Sequence, residues 1–70
     1  MTDHTYSVSE IVGSAPGTID DAIRNALDRA GKTLRHLDWF EVNEIRGQLN
    51  EDGSIAYYQV GLKVGFRLEG

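Results

Sequence analysis

Residues 38–68 read DWFEVNEIRGQLNEDGSIAYYQVGLKVGFRL, and this stretch decides the fold. From Ile55 to Leu68 the side chains alternate. Ala56, Tyr58, Val60, Leu62, Val64, Phe66 and Leu68 fall on one face, and Tyr57, Gln59, Gly61, Lys63, Gly65 and Arg67 on the other. Apolar residues at every second position are the mark of a half-buried antiparallel strand. Asp38 to Leu49 repeats the period, and NEDGS between the two segments is a turn. Glu51-Asp52-Gly53 fits a three-residue hairpin loop with Gly53 in the left-handed position. Asn50 then stands opposite Ser54, Phe40 opposite Val64 and Val42 opposite Leu62. On the other face Glu41 meets Lys63, an opposite-charge pair, and Trp39 meets Gly65.

Working outward, TYSVSEIVG (residues 5–13) reads as a short strand closed by Gly13. Ile19, Ala22, Ile23, Ala26, Leu27, Ala30 and Leu34 recur at helical spacing and form one apolar stripe. Three alanines in that stripe imply close approach to a sheet or to another subunit. Asp20, Asp21, Arg24, Asp28 and Arg29 lie on the opposite, solvated side, where Asp20 and Arg24 make an i,i+4 pair. Two helix starts are available: Ser14 as cap with Pro16 in the first turn, or Thr18 with Asp21 three residues on. The Ser14 start is preferred because proline is well tolerated there. The expected fold is α+β, in the order β-α-β-β: a three-stranded antiparallel sheet with one helix packed on one face.

A chain of 70 residues buries only about 60% of its unfolded surface. Such chains usually need disulfides, a metal or self-association. There is no cysteine, which excludes disulfides, thiolate zinc and thiol nucleophiles. His4 and His36 stand too far apart in sequence for a metal-ligand spacing. Self-association remains. The formal charge of −4 argues against nucleic acid or an anionic membrane as partner. No apolar run approaches the ~20 residues that span a bilayer, and MTDHTYSVSE has no signal-peptide centre. The expected location is the cytoplasm.

Catalytic groupings are scarce. VGSAPG (residues 12–17) is better read as an ordinary strand-to-helix turn than as a phosphate loop. His36 and Asp38 suggest an exposed helix end more than a proton relay. Trp39 is the informative residue. On the face away from the helix, opposite Gly65 and with Tyr57, Gln59 and Ile45 on the same side, it is either an anchor between subunits or a stacking platform for a flat ligand. In this register Gln59 lies opposite Ile45, six residues from the Trp39–Gly65 pair, or about 20 Å along the strand. One small ligand touching both residues would have to take them from different subunits.

KTLRHLDWFEVNEIRG (residues 32–47) and YQVGLKVGFRLEG (residues 58–70), on a β-α-β-β chain of this length, resemble the dodecins. The resemblance covers nearly the whole chain. It implies a single dodecin-like domain over residues 1–70, assembled as a hollow homododecamer of 23 symmetry. It also implies a flavin-storing protein and not an enzyme, which quenches the photochemistry of its cargo. By that resemblance Trp39 stacks on the isoalloxazine ring at a two-fold axis and Gln59 hydrogen-bonds the ring edge. Arg46 reaches the phosphate of FMN, and Gln48 is a further candidate contact. Riboflavin is an alternative ligand. Coenzyme A is a possible second one, with Lys32 and Arg67 as plausible cationic contributors. The roles suit the side chains: indole stacks on an electron-poor ring, a glutamine amide offers donor and acceptor, and a guanidinium grips two phosphate oxygens. The competing expectation is a ligand-free scaffold in which Trp39 merely joins subunits.

Overall fold

In the computed structural model, which describes residues 3–69, strand β1 (Tyr6–Ala15) leads into helix α1 (Ile19–Thr33) and then strands β2 (Leu37–Leu49) and β3 (Ile55–Arg67). All pairing is antiparallel and the sheet order is β1-β3-β2. The β-α-β-β expectation holds. The hairpin turn also forms as expected: Asn50 N donates to Ser54 O at 2.8 Å, Gly53 N donates to Asn50 O at 3.0 Å, and Gly53 takes φ 89°.

The helix begins one turn later than the preferred reading. Thr18, not Ser14, is the cap, its hydroxyl accepting from Asp21 N at 3.0 Å. Ser14 is still sheet, paired with Gln59, because β1 gains more from continuing its ladder along β3 than from an early cap. The helix lies on β1 and β3. Ala22, Ala26 and Ala30 are buried, and Ala22 and Ala26 join Ala15, Val60 and Leu62 in the core, with Ile11, Ile23 and Leu27 against it. The alanines allow the close approach expected of them. A β-carbon at Gly13 would sit within 2.7 Å of Ala26 Cβ and collide with the Ala22 carbonyl oxygen. Glycine on the strand and alanine on the helix are therefore one packing device.

The hairpin agrees with the expected register from Trp39–Gly65 to Val42–Leu62, and departs from it at Asn43. There a bulge adds one residue to β2, so Glu44 faces Gly61, Ile45 faces Val60 and Arg46 faces Gln59. A second irregularity, at Ala56 on β3, restores the original offset at Leu49–Ile55. The bulge settles a conflict in the sequence. Val42 and Ile45 are both apolar yet three apart, so strict alternation would put them on opposite faces. One extra residue brings both to the helix side and turns Arg46 to the other.

No part of the helix reaches far enough to cover β2. Phe40, Val42 and Ile45 share the helix-side face with buried Val64, Leu62 and Val60, but all three are exposed, Ile45 by 55%. Leu49 and Ile55 continue the apolar row to the hairpin tip. The subunit measures 55 × 20 × 15 Å with a radius of gyration of 14.6 Å, against about 11 Å for a compact chain of this length. Its surface of 5158 Å² exceeds the roughly 4,400 Å² of a compact monomer of its mass. The chain thus leaves the β2 part of its helix-side face apolar and open.

Candidate functional site

The site face of the sheet is the one turned away from α1. Across it run Val8, Gly65 and Trp39; then Glu10, Lys63 and Glu41; then Val12, Gly61 and Glu44; then Ser14, Gln59 and Arg46. Tyr57 and Gln48 complete it on β3 and β2.

Trp39 lies flat over Gly65. A β-carbon at Gly65 would land among Cε2, Cζ2 and Cδ2 of the indole, so only glycine leaves room for the ring to rest on the strand. From there the indole extends towards β1, where the Tyr6 ring sits 6.2 Å away, centroid to centroid, tilted by 56°. Asp38, the extra residue in an irregularity between Leu37 and Trp39, accepts a hydrogen bond from the Tyr6 phenol at 2.7 Å. That bond raises the phenol's pKa above its ordinary value. Trp39 is thus held on its underside by Gly65 and at its flank by Tyr6, and it remains 41% exposed. The exposed face is a rigid, flat apolar surface, which is what a stacking ligand needs.

Arg46 and Gln59 are direct cross-strand partners. The expected opposition of Gln59 and Ile45 is therefore corrected by one residue, and Ile45 moves off Trp39's face. The same bulge brings a cation and an amide side by side. Arg46 Nη2 lies 3.0 Å from Glu44 Oε1, an exposed ion pair on its own strand. Gln59 lines an open hollow of about 370 Å³ with Ser14, Pro16 and Tyr57. Gln48, opposite Tyr57, donates from Nε2 to the Leu49 carbonyl at 3.3 Å.

Two groups result: Trp39, Gly65, Tyr6 and Asp38 at one end of the sheet, and Arg46, Gln59 and Gln48 at the other. They share a face but stand six residues apart on β3, or about 20 Å. The sequence reading missed Tyr6 and Asp38 as neighbours of the indole, since nothing local to either residue signals the pairing of β1 with β3. His36 and Asp38 make no relay: His36 Nε2 lies 2.6 Å from Glu69 Oε1, while Asp38 serves Tyr6. A concavity of about 690 Å³ between β1 and α1 contains none of the candidate residues. Among the described residues no group of three or more His, Asp or Glu side chains is placed to share a metal ion, and no helix is long and apolar enough to cross a membrane.

Comparison with known proteins gives a consistent answer. The dodecin family model matches residues 5–69. A dodecin of Thermus thermophilus is 58% identical over 64 residues, 91% of each chain. Among solved structures, dodecin from Streptomyces davaonensis superposes with a TM-score of 0.92 at 58% identity, covering 99% of this chain and all of that one. Dodecin from Streptomyces coelicolor gives 0.91 at 57%, covering all of this chain and 99% of the other. With its β-α-β-β fold, its indole seated on a glycine and a match that spans almost every residue, the chain belongs to the dodecin family of small flavin-binding proteins.

Proposed function

We propose that this protein stores FMN, with riboflavin as a weaker ligand, and keeps it photochemically quiet inside a homododecamer of 23 symmetry. The single observation that supports this most strongly is the exposed indole of Trp39 resting on Gly65. A ring backed by the strand has one free face, and a flat ligand on it loses water from both surfaces without reordering the protein. Flavin supplies the light-absorbing, electron-accepting ring. Indole in contact with it donates an electron to the excited state and so returns it to the ground state without emission.

The separation of Trp39 from Gln59 and Arg46 supports a shared site between subunits. An isoalloxazine on one subunit's Trp39 would take its edge contact from Gln59 of another, the Gln59 amide matching donor and acceptor along the ring. Arg46 is the partner for the FMN phosphate and Gln48 an auxiliary contact. Glu44 tempers that role, since its carboxylate competes for the guanidinium. An exposed pair of this kind is worth about 0–1 kcal/mol, so a phosphate dianion can displace it. For coenzyme A the support is thinner, because Lys32 does not line the cleft that holds Arg67.

The open apolar row on β2 and the excess surface of the lone chain support assembly. A flavin ring sandwiched between the indoles of two subunits leaves no room for a substrate at its reactive face, which favours storage over turnover. The test is an absorption spectrum and mass analysis of the protein as purified. A bound flavin, displaced by denaturation and identified as FMN, is the expected result. A colourless assembly that takes up no flavin would leave only the scaffold reading.

A further inference from the structure

We propose that Tyr6 and Asp38 form a relay that repairs Trp39 after one-electron oxidation: the Tyr6 phenol donates an electron to the oxidised indole while its proton passes to Asp38. The proposal rests on the flavin-storage reading only for the source of the oxidant, a photoexcited flavin. Its geometry is in the chain itself.

An indole that loses an electron to a stacked ligand usually recovers it at once from that ligand. Any charge that escapes this return leaves an indole radical cation on the chain's single tryptophan, and such a radical reacts irreversibly with oxygen and water. The Tyr6 ring, 6.2 Å away between centroids, is close enough for direct electron transfer. A phenol is a poor electron donor while it must keep its proton, because the phenol radical cation is a very strong acid. Here the proton already lies in a hydrogen bond 2.7 Å long to Asp38 Oδ2. One electron moves from Tyr6 to the indole cation, one proton moves along that bond, and the products are neutral Trp39, a tyrosyl radical and a protonated Asp38. The reduced oxidant later returns its electron to the tyrosyl radical, and Asp38 gives back the proton, so the cycle consumes nothing.

The charged surroundings agree with this direction of flow. Asp38 receives the proton as the electron leaves, so no positive charge builds up on the Tyr6 ring. Its bond to Tyr6 also holds the phenol protonated at rest, its pKa raised by that contact. Arg67 on β3, the cross-strand partner of Tyr6, is the cation facing the pair. It opposes the raised pKa without cancelling it.

The test uses the ligand-free assembly and a freely diffusing one-electron photo-oxidant, so it does not depend on flavin binding. Transient absorption after a laser flash follows the indole radical, which can come only from Trp39. In the native protein its decay should coincide with the rise of a tyrosyl radical. In Tyr6→Phe the indole radical should live about tenfold longer or more, and Asp38→Asn should lengthen it comparably, since a positioned proton acceptor contributes about 10²–10⁴-fold to such transfers. If Tyr6→Phe fails to assemble, Asp38→Asn, which keeps the phenol, decides the matter alone. Equal lifetimes in the native protein and in whichever variant assembles would overturn the relay.

Discussion

Gly65→Ala perturbs the platform by one methyl group. The new carbon would fall inside the contact distance of three indole atoms, Cε2, Cζ2 and Cδ2. Something has to move, and the backbone cannot yield easily: Gly65 is on the central strand, paired with Val8 on one side and Trp39 on the other. The indole therefore lifts, losing its support and its contact with Tyr6. Overpacking of this kind costs about 1–3 kcal/mol. If the flat seat is a condition for stacking, a loss of that size appears in the flavin dissociation constant as roughly a 5- to 150-fold weakening. Titration of FMN emission against the variant reads the affinity, and Trp39 emission of the ligand-free variant reads the displacement. Gly47→Ala is the control, because a β-carbon there meets only ordinary contacts, the nearest 3.6 Å away at the Tyr57 carbonyl oxygen. An affinity within twofold of native in Gly65→Ala, with unchanged Trp39 emission, would refute the idea that the glycine seats the ring.

Two further outcomes follow from the same surfaces. Glu44→Gln frees Arg46 and removes a carboxylate from beside the phosphate, so FMN should bind up to about fivefold more tightly with riboflavin unchanged; isothermal titration with both ligands reads the difference. Ile45→Lys places a charge in the open apolar row of β2 and should shift the mass seen by light scattering from the about 94 kDa of the proposed dodecamer, twelve copies of a 7.8 kDa chain, towards smaller species.

Much of this was legible in the residues. Alternation along β3 and the NEDGS turn gave the hairpin, both ends of its register, and the pairing of Trp39 with Gly65. The apolar stripe gave the helix. What stayed hidden depended on contacts between distant segments. The choice of Thr18 over Ser14 rests on β1 pairing with β3, which local capping preferences do not encode. The bulge at Asn43 did leave a trace, since Val42-Asn43-Glu44-Ile45 breaks the alternation with two polar residues between apolar ones. Reading that break would have moved Arg46 to the site face at once. Tyr6 could not be connected to Trp39 from sequence, because the two meet only across the central strand over a missing side chain.

The storage account depends most directly on the indole face. At 41% exposure Trp39 offers about 100 Å² to a ligand, worth about 2.5 kcal/mol of apolar burial. Specific stacking adds about 0.5–1.5 kcal/mol. Trp39→Ala should therefore weaken FMN binding by about 3–4 kcal/mol, or two to three orders of magnitude. The measurement is the quenching of FMN emission on titration with the native assembly and with Trp39→Ala, each first shown to have the same mass. Strong quenching by the native protein that vanishes in the variant is the predicted result; unchanged emission with the native assembly, or equal quenching by both, would contradict it.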